Sequence, residues 1–153
     1  MLNLLKEEQK GDFLISTDKE KLDISAIHHY LSTESYWAKQ IPFETVKKCI
    51  ENSLCFGIFE NKKQIGFARV ISDYSTFAYL ADVYVLTEYR KQGLSKWLME
   101  FIMSHRELQG LRRFSLATLD AHGLYEHYGF KRLENPDRYM EIKNAGVYTS
   151  KPK

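Results

Sequence analysis

The fold is decided by one stretch of the sequence, Thr76-Phe-Ala-Tyr-Leu-Ala-Asp82-Val-Tyr-Val-Leu86, and by the turn that follows, Thr87-Glu-Tyr-Arg90-Lys-Gln-Gly93-Leu-Ser95. Apolar residues occupy both alternating sets of positions from 76 to 86, which predicts a central strand covered on both faces. Only Asp82 interrupts this pattern. The stretch therefore predicts a buried strand that leads through a polar turn into the next element.

The next element is predicted to be an amphipathic helix. Its apolar face is formed at helical spacing by Leu94, Trp97, Leu98, Phe101, Ile102 and His105. A helix N-terminus carries free N–H groups and partial positive charge, and Gly93 lets a ligand approach the backbone closely. Such a turn suits a pyrophosphate, and Arg90, Lys91 and Lys96 add positive charge. On this fragment alone, an ordinary turn remains the alternative.

On both sides of the central strand, the patterns predict further strands and helices, and so a mixed α/β chain. Before the central strand we expect a strand at Phe13–Thr17, helices starting at Asp23 and Pro42, and a hairpin of Leu54–Glu60 with Gln64–Ser72, in which Ile65, Phe67 and Ile71 share a face. After the helix we expect strands at Arg113–Thr118, Phe130–Leu133 and Arg138–Ile142, a short helix at Ala121–Tyr128 that ends at Gly129, and a loose tail over 144–153.

Composition excludes several classes of protein. The 153 residues include 22 Lys and Arg against 20 Asp and Glu, a net charge of +2, and 44% are hydrophobic. This balance argues against disorder and against nucleic-acid binding as the main activity. No apolar run is long enough to span a membrane, and the N-terminus is not typical of a secretion signal. We expect one cytoplasmic domain over 1–153 that is a monomer or a homodimer.

Other phosphate-binding and metal-binding patterns are missing from the sequence. It contains neither the P-loop pattern nor the Gly-x-Gly-x-x-Gly pattern, so a mononucleotide kinase and a nicotinamide dehydrogenase are disfavoured. Cys49 and Cys55 have no nearby pair of histidines, so we expect no metal site and two buried thiols.

A second motif lies in the C-terminal third of the chain. Leu124-Tyr125-Glu-His-Tyr-Gly129-Phe130 lies about thirty residues after Arg90-Lys-Gln-Gly93-Leu-Ser95. Together, in this order, the two motifs resemble those of the GNAT N-acetyltransferases, and the resemblance covers about residues 12–143. Ser95 stands where the family usually has Gly or Ala, and serine is small enough to be compatible.

The resemblance implies an α/β (α+β) fold, with a mixed, mostly antiparallel sheet flanked by helices and splayed beside the strand at 76–86. Acetyl-CoA would lie in the opening as the co-substrate. The residues implied to hold it are Val83, Tyr84, Val85, Arg90, Lys91, Gln92, Gly93, Leu94, Ser95, Lys96, Asp120 and Tyr125.

Five side chains are candidates for roles in the site. The resemblance points the Tyr125 hydroxyl at the CoA sulfur, where it would act as an acid, and packing is its alternative role. Asp82 would serve as a general base or bind a cationic substrate, with a structural carboxylate as the alternative. Asp120 is expected to cap the short helix or to bond the cofactor. His122 and His127 are weaker candidates for the base.

The acceptor site is expected between the first two helices. Glu34, Tyr36 and Trp37 would form an acidic and aromatic wall that suits a cationic amine, and Asp73 is a second candidate for the rim. We therefore expect an acetyl-CoA-dependent N-acetyltransferase that acts on a primary amine by direct attack in a ternary complex. A small-molecule amine is favoured over a protein or peptide amine. A non-catalytic acyl-CoA-binding module is the alternative from another class.

Overall fold

The computed structural model describes residues 1–149. Its strands are β1 (Glu7–Lys10), β2 (Phe13–Ser16), β3 (Leu54–Glu60), β4 (Lys63–Ser72), β5 (Phe77–Val85) and β6 (Arg113–Leu116). Its α-helices are α1 (Ile24–His29), α2 (Phe43–Glu51), α3 (Leu94–Met103) and α4 (His122–Glu126), and a π-helical segment at Tyr30–Glu34 continues α1. The predicted mixed α/β fold is confirmed.

The six strands form one open sheet in the order of the chain, β1 to β6. The pairs β1–β2, β2–β3, β3–β4 and β4–β5 are antiparallel, and β5–β6 is parallel. A parallel pair needs a crossover connection, and α3 provides it. The stretch at 76–86 is therefore an internal strand, as its pattern predicts.

Helices cover both faces of the sheet, because successive side chains of a strand point to opposite sides. One core lies between the sheet and α3 and includes Phe56, Leu80 and Leu98. The other lies between the sheet and the first two helices and includes Phe67 and Tyr84. The apolar character of β5 on both faces follows from this three-layer arrangement.

Two bulges break the two-residue period of the sheet. Phe67 pairs with Tyr84 and Arg69 pairs with Ala81, so Ala68 faces two residues of β5, and Asp82 there has a left-handed φ of 54°. Aspartate tolerates this conformation better than most residues. A second bulge lies at Ile65. The prediction that Ile65 and Phe67 share a face is therefore wrong, because the two side chains pack in different cores.

The N-terminal segment is tied to the end of α3 by the fully buried His105. The His105 ring contacts the Leu4 carbonyl through Nε2 at 2.9 Å, and its Nδ1 accepts from the Glu107 N–H at 3.1 Å. His105 was predicted on the helix itself, but α3 ends at Met103. It belongs instead to the turn that follows, where its two bonds fix one ring orientation.

The predicted strands at Phe130–Leu133 and Arg138–Ile142 are wrong. Neither segment pairs with the sheet among the described residues, and Pro136–Arg138 forms a 3₁₀ turn. Met140 and Ile142 are almost completely exposed. Strand propensity describes how a side chain fits a paired, half-buried surface, and here no neighbouring strand or covering layer provides one.

Two smaller differences concern polar residues. β1 was not predicted, because all four of its residues are exposed and polar; the left-handed turn at Gly11 is the signal that could have revealed it. Asp120 does not cap α4: the helix begins at His122, and the Thr118 hydroxyl accepts from the Ala121 N–H at 3.0 Å.

The segment that was expected to be a loose tail contains a turn, in which the Thr149 N–H donates to the Gly146 carbonyl. Residues 150–153 lie outside the described residues.

Candidate active site

The main feature of the site is a cleft where β5 and β6 separate. The two strands pair from Phe77 with Arg113 to Leu80 with Leu116, and no further pairing joins them in the described part of the chain. β5 continues to Val85, whereas residues 117–120 run on without pairing to β5. The bulge at Asp82 falls just beyond the last pair. The sheet is thus splayed at the position that the sequence predicted.

Backbone groups of β5 line one side of this cleft. The Leu86 N–H donates to the Ile65 carbonyl at 2.8 Å, which directs Leu86 toward β4. Because backbone groups alternate along a strand, those of Val83 and Val85 face the cleft. The Val85 carbonyl there accepts from Nε of Arg90 at 2.9 Å.

A helix N-terminus follows β5 after a 3₁₀ turn at Thr87–Tyr89. Gly93 precedes α3 with a left-handed φ of 79°, and no side chain caps the helix. The first N–H groups of a helix have no partners within it, so those of α3 are available to a ligand. A Cβ added at Gly93 would meet nothing within 4 Å, so the space beside this turn is open.

Arg90 has a structural role at the base of this turn. Besides Val85, its guanidinium donates to the Tyr30 hydroxyl at 3.3 Å, and the Tyr30 ring stacks on Tyr84 with centroids 3.8 Å apart. Arg90 and Tyr84 therefore have protein partners, whereas Gly93 and the start of α3 are open. Sequence reasoning placed all of them in one cofactor set.

Tyr125 is a buried phenol, 8% exposed, on α4. Its ring packs against Phe130 at 6.0 Å in an edge contact. Burial raises the pKa of Tyr125 to about 12, with Tyr36 and Asp120 adding to the rise. Its hydroxyl makes no hydrogen bond to any of residues 1–149. The side chain is therefore a protonated phenol whose hydroxyl, among the described residues, is left to solvent or to a ligand.

Asp82 is not a free carboxylate. Its Oδ2 accepts from Nε of Arg69 at 2.5 Å, and its Oδ1 accepts from Nε1 of Trp37 at 2.8 Å. Burial lowers the pKa of Arg69, but the charge and hydrogen bond of Asp82 outweigh burial, so that pKa lies above its ordinary value. This geometry favours the structural alternative for Asp82 over a general base.

Arg69 is the site residue that sequence reasoning missed. It lies on β4, 15% exposed at its side chain, and also donates to the Ser53 hydroxyl at 3.2 Å. A signal was present in the sequence: Arg69 and Asp82 are lone, opposite charges in adjacent apolar strands. Because isolated charges are seldom buried, such a pair indicates a salt bridge.

The predicted acceptor residues lie in different places. Tyr36 and Trp37 are beside the cleft: the Tyr36 hydroxyl accepts from the Leu119 N–H at 3.2 Å, and the two rings meet edge to face at 5.0 Å. Glu34 is exposed at the end of the π-helical segment. Asp73 lies in the turn before β5, where its carboxylate accepts from Ser75, Thr76 and Phe77.

The Asp73 carboxylate is saturated by its own turn. Its Oδ1 accepts from three backbone N–H groups and its Oδ2 accepts from the Thr76 hydroxyl at 2.7 Å. These hydrogen bonds hold the pKa of Asp73 below its usual range, and the bond from the Thr76 hydroxyl has the largest effect. Its geometry is that of a turn-forming residue.

A cavity of about 730 Å³ lies on the β6 side of the splayed opening. It is formed by β6, α4 and the segment at 128–136, and none of the described residues that line it belongs to β5. Tyr125 and His122 reach it from α4. Tyr125 thus borders this cavity on the β6 side of the splayed sheet.

Other kinds of site find no support within residues 1–149. No group of three or more His, Cys, Asp or Glu side chains there could hold a metal ion. None of the helices described is long and apolar enough to cross a membrane. Cys49 and Cys55 are both free. Cys55 is buried as predicted, and burial raises its pKa to about 12, whereas the prediction of a buried thiol is wrong for Cys49, which is half-buried on α2.

Comparison with known proteins shows the class of protein to which this chain belongs, an acyltransferase. Residues 51–132 match the family described as "Acetyltransferase (GNAT) domain". A Gibberella zeae protein named as an acetyltransferase is 32% identical over 172 aligned positions, which cover 96% of each protein. The chain belongs to the GNAT acetyltransferase family.

Solved structures agree. A GNAT-family acetyltransferase structure from Xanthomonas campestris pv. campestris is 53% identical, has a TM-score of 0.89, and is matched over 93% of this chain and 100% of that chain. A Deinococcus radiodurans R1 structure is 20% identical, has a TM-score of 0.71, and is matched over 97% of this chain and 100% of that one. The second likeness concerns the fold alone.

Proposed function

We propose that the chain transfers an acetyl group from acetyl-CoA to a primary amine, with a small molecule as the acceptor. The observation that carries this proposal is the position of the uncapped N-terminus of α3, which is the next α-helix after the strand whose pairing to β6 stops at Leu80. An elongated ligand with a pyrophosphate can then place its anionic part on α3 and its arm between the strands.

The residues present fit acetyl-CoA. Free N–H groups at the start of α3 bind phosphate oxygens well, and Gly93 leaves the approach open. The cleft-facing backbone of Val83 and Val85 can pair with the amide groups of a pantetheine arm, as an added strand would. Lys91 and Lys96 add positive charge near the same turn. When bound, acetyl-CoA supplies an activated acetyl thioester.

Tyr125 is proposed to stabilise the departing sulfur by donating a hydrogen bond. An ordinary thiol has a pKa of about 8.5, whereas that of Tyr125 is about 12. Complete proton transfer from this phenol to a thiolate would cost about 5 kcal/mol, since one pKa unit corresponds to about 1.4 kcal/mol. A donated hydrogen bond carries no such cost, so the phenol acts as a donor that keeps its proton.

Asp82 is proposed to position the acceptor site rather than to take a proton. Because Arg69 and Trp37 occupy its two oxygens, it holds the Trp37 indole beside the cleft. Trp37 and Tyr36 then present aromatic surface, which binds cationic amines by their faces. Glu34 adds negative charge on the same segment.

The cofactor proposal is tested by calorimetric titration of acetyl-CoA into the native chain and into Gly93→Ala. A methyl group at Gly93 lies where the ligand must approach the N–H groups, so the Kd is expected to rise at least tenfold. The matched control is Gly110→Ala, because Gly110 also has a left-handed φ of 71° and nothing within 4 Å of an added Cβ. Both variants carry a backbone strain of about 1–2 kcal/mol.

Equal loss of stability in the two variants, with weaker binding only in Gly93→Ala, supports the site. Equal affinity of the two variants for acetyl-CoA would mean that acetyl-CoA binds away from Gly93. Absence of binding to the native chain would exclude acetyl-CoA as the donor. Binding without release of free thiol, across a panel of small primary amines and amine-bearing peptides, would favour the non-catalytic acyl-CoA-binding module. Turnover with peptides alone would favour a protein amine as acceptor.

A further inference from the structure

Two adjacent residues connect the two sides of the cleft. Nε1 of Trp37 donates to Asp82, which lies on β5 two residues past the last β5–β6 pair. The Tyr36 hydroxyl accepts from the Leu119 N–H, three residues past the end of β6 on the other side. The segment that joins α1 to α2 therefore crosses the mouth of the splayed sheet.

The two ends of this crossing differ in strength. Asp82 is held by Arg69 in a partly buried ion pair, so the Trp37 bond ends on a fixed, charged acceptor. Charge-assisted hydrogen bonds are about twice as strong as neutral ones. The Tyr36–Leu119 bond is neutral, 3.2 Å long and exposed to solvent. The Tyr36 end is therefore the one that a ligand can displace.

Ser35, which directly precedes the two aromatic residues, is held in place by hydrogen bonds. Ser35 is buried, donates to the Leu31 carbonyl at 2.7 Å and accepts from the Ala38 N–H at 3.0 Å. Tyr36 and Trp37 themselves are 57% and 41% exposed. The two exposed aromatic side chains thus extend from a loop that is held at Ser35 by two hydrogen bonds.

We propose that Tyr36 and Trp37 form a displaceable strap across the mouth of the cleft, fixed at Asp82 and closed by the bond between Tyr36 and Leu119. This inference rests on the proposed function for the ligand that enters, but the closed strap itself is a property of the free protein. A ligand arm between β5 and β6 must displace Tyr36, whereas a ligand confined to the N-terminus of α3 leaves it in place. Tyr36 is then a positioning residue that also limits access.

The first test measures solvent exchange of the Leu119 amide by NMR in the free protein. Tyr36→Phe removes the hydroxyl and keeps the ring, so the Leu119 amide is expected to exchange at least threefold faster. The Ala121 amide, bonded to Thr118 Oγ1, is the internal reference and is expected to stay unchanged. Equal Leu119 exchange in the native chain and the variant would overturn the closed strap.

The second test compares two probes, acetyl-CoA and ADP, by calorimetry. Removal of the bond that closes the strap is expected to lower the Kd of acetyl-CoA about threefold to tenfold, and to leave the Kd of ADP unchanged because ADP has no pantetheine arm. The matched control is Tyr139→Phe, which loses a phenol hydrogen bond with Arg113 at the paired end of β6, remote from the splayed end.

The outcomes separate this inference from the proposed function. Unchanged or weaker acetyl-CoA binding in Tyr36→Phe would overturn displacement, even if the amide result shows a closed strap. Tighter binding of both probes would also overturn it, since ADP does not reach the strap. If the native chain binds neither probe, the proposed donor is wrong, and Leu119 exchange alone decides whether the strap exists.

Discussion

Replacement of Tyr125 by phenylalanine is expected to lower kcat about 10- to 100-fold and to leave the Kd of acetyl-CoA within about twofold. The hydroxyl is the only group removed, and it has no hydrogen-bond partner in residues 1–149. The variant should therefore keep its stability within about 0.5 kcal/mol. The measurement is the rate of thiol release with the best primary amine found in the acceptor panel.

The matched control for this experiment is again Tyr139→Phe, which removes a phenol at the paired end of β6 and is expected to retain kcat. The pH profile adds a second criterion. Because Tyr125 has a pKa of about 12, it stays protonated across the working range, and its loss should lower the rate uniformly between pH 6 and about pH 9. A variant with full turnover would remove Tyr125 from the mechanism and favour its packing role.

Arg69→Met is expected to lower the free energy of unfolding by about 3–5 kcal/mol, because it leaves the carboxylate of Asp82 buried without its counter-ion. Asp82 is 9% exposed at its side chain and sits in a bulge with left-handed backbone, so it cannot easily turn to solvent. The measurement is equilibrium denaturation in urea near neutral pH.

An exposed ion pair of the same N–O distance provides the control. Lys21 and Glu7 also meet at 2.5 Å, but their side chains are 42% and 36% exposed, so Lys21→Met should cost less than about 1 kcal/mol. Asp82→Asn added to Arg69→Met should recover part of the loss, since it removes the unpaired charge. Equal losses in the two single variants would mean that burial adds nothing to the Arg69–Asp82 pair.

Much of the fold could be predicted because its patterns are local. The apolar faces of β5, the helical spacing after Gly93 and the cap at Asp23 each depend on neighbours in sequence, and all three are confirmed. The family follows from two short motifs on the predicted elements. The position of the cleft followed from the family resemblance, and the pairing of β5 with β6 confirms it.

The errors concern features that depend on distant parts of the chain. The two-residue period of a strand cannot show a bulge, so Ile65 was assigned to the wrong face. Met140 and Ile142 alternate as in a strand, but no partner strand is present beside them in the described chain. Asp82 looked like a lone carboxylate because its partners, Arg69 and Trp37, come from other elements.

The order of the strands has a consequence for the way this chain acquires its structure during synthesis. From β1 to β5, each strand lies beside the one made just before it. The pairs β1–β2, β3–β4 and β4–β5 are hairpins with short loops to close, whereas β2 and β3 are joined through the first two helices. The contact between Leu4 and His105, by contrast, joins residues 101 positions apart. The segment before β1 is therefore among the last parts of the chain to reach its final contact, and the exposed, polar sequence of β1 protects this edge of the sheet from pairing with other chains.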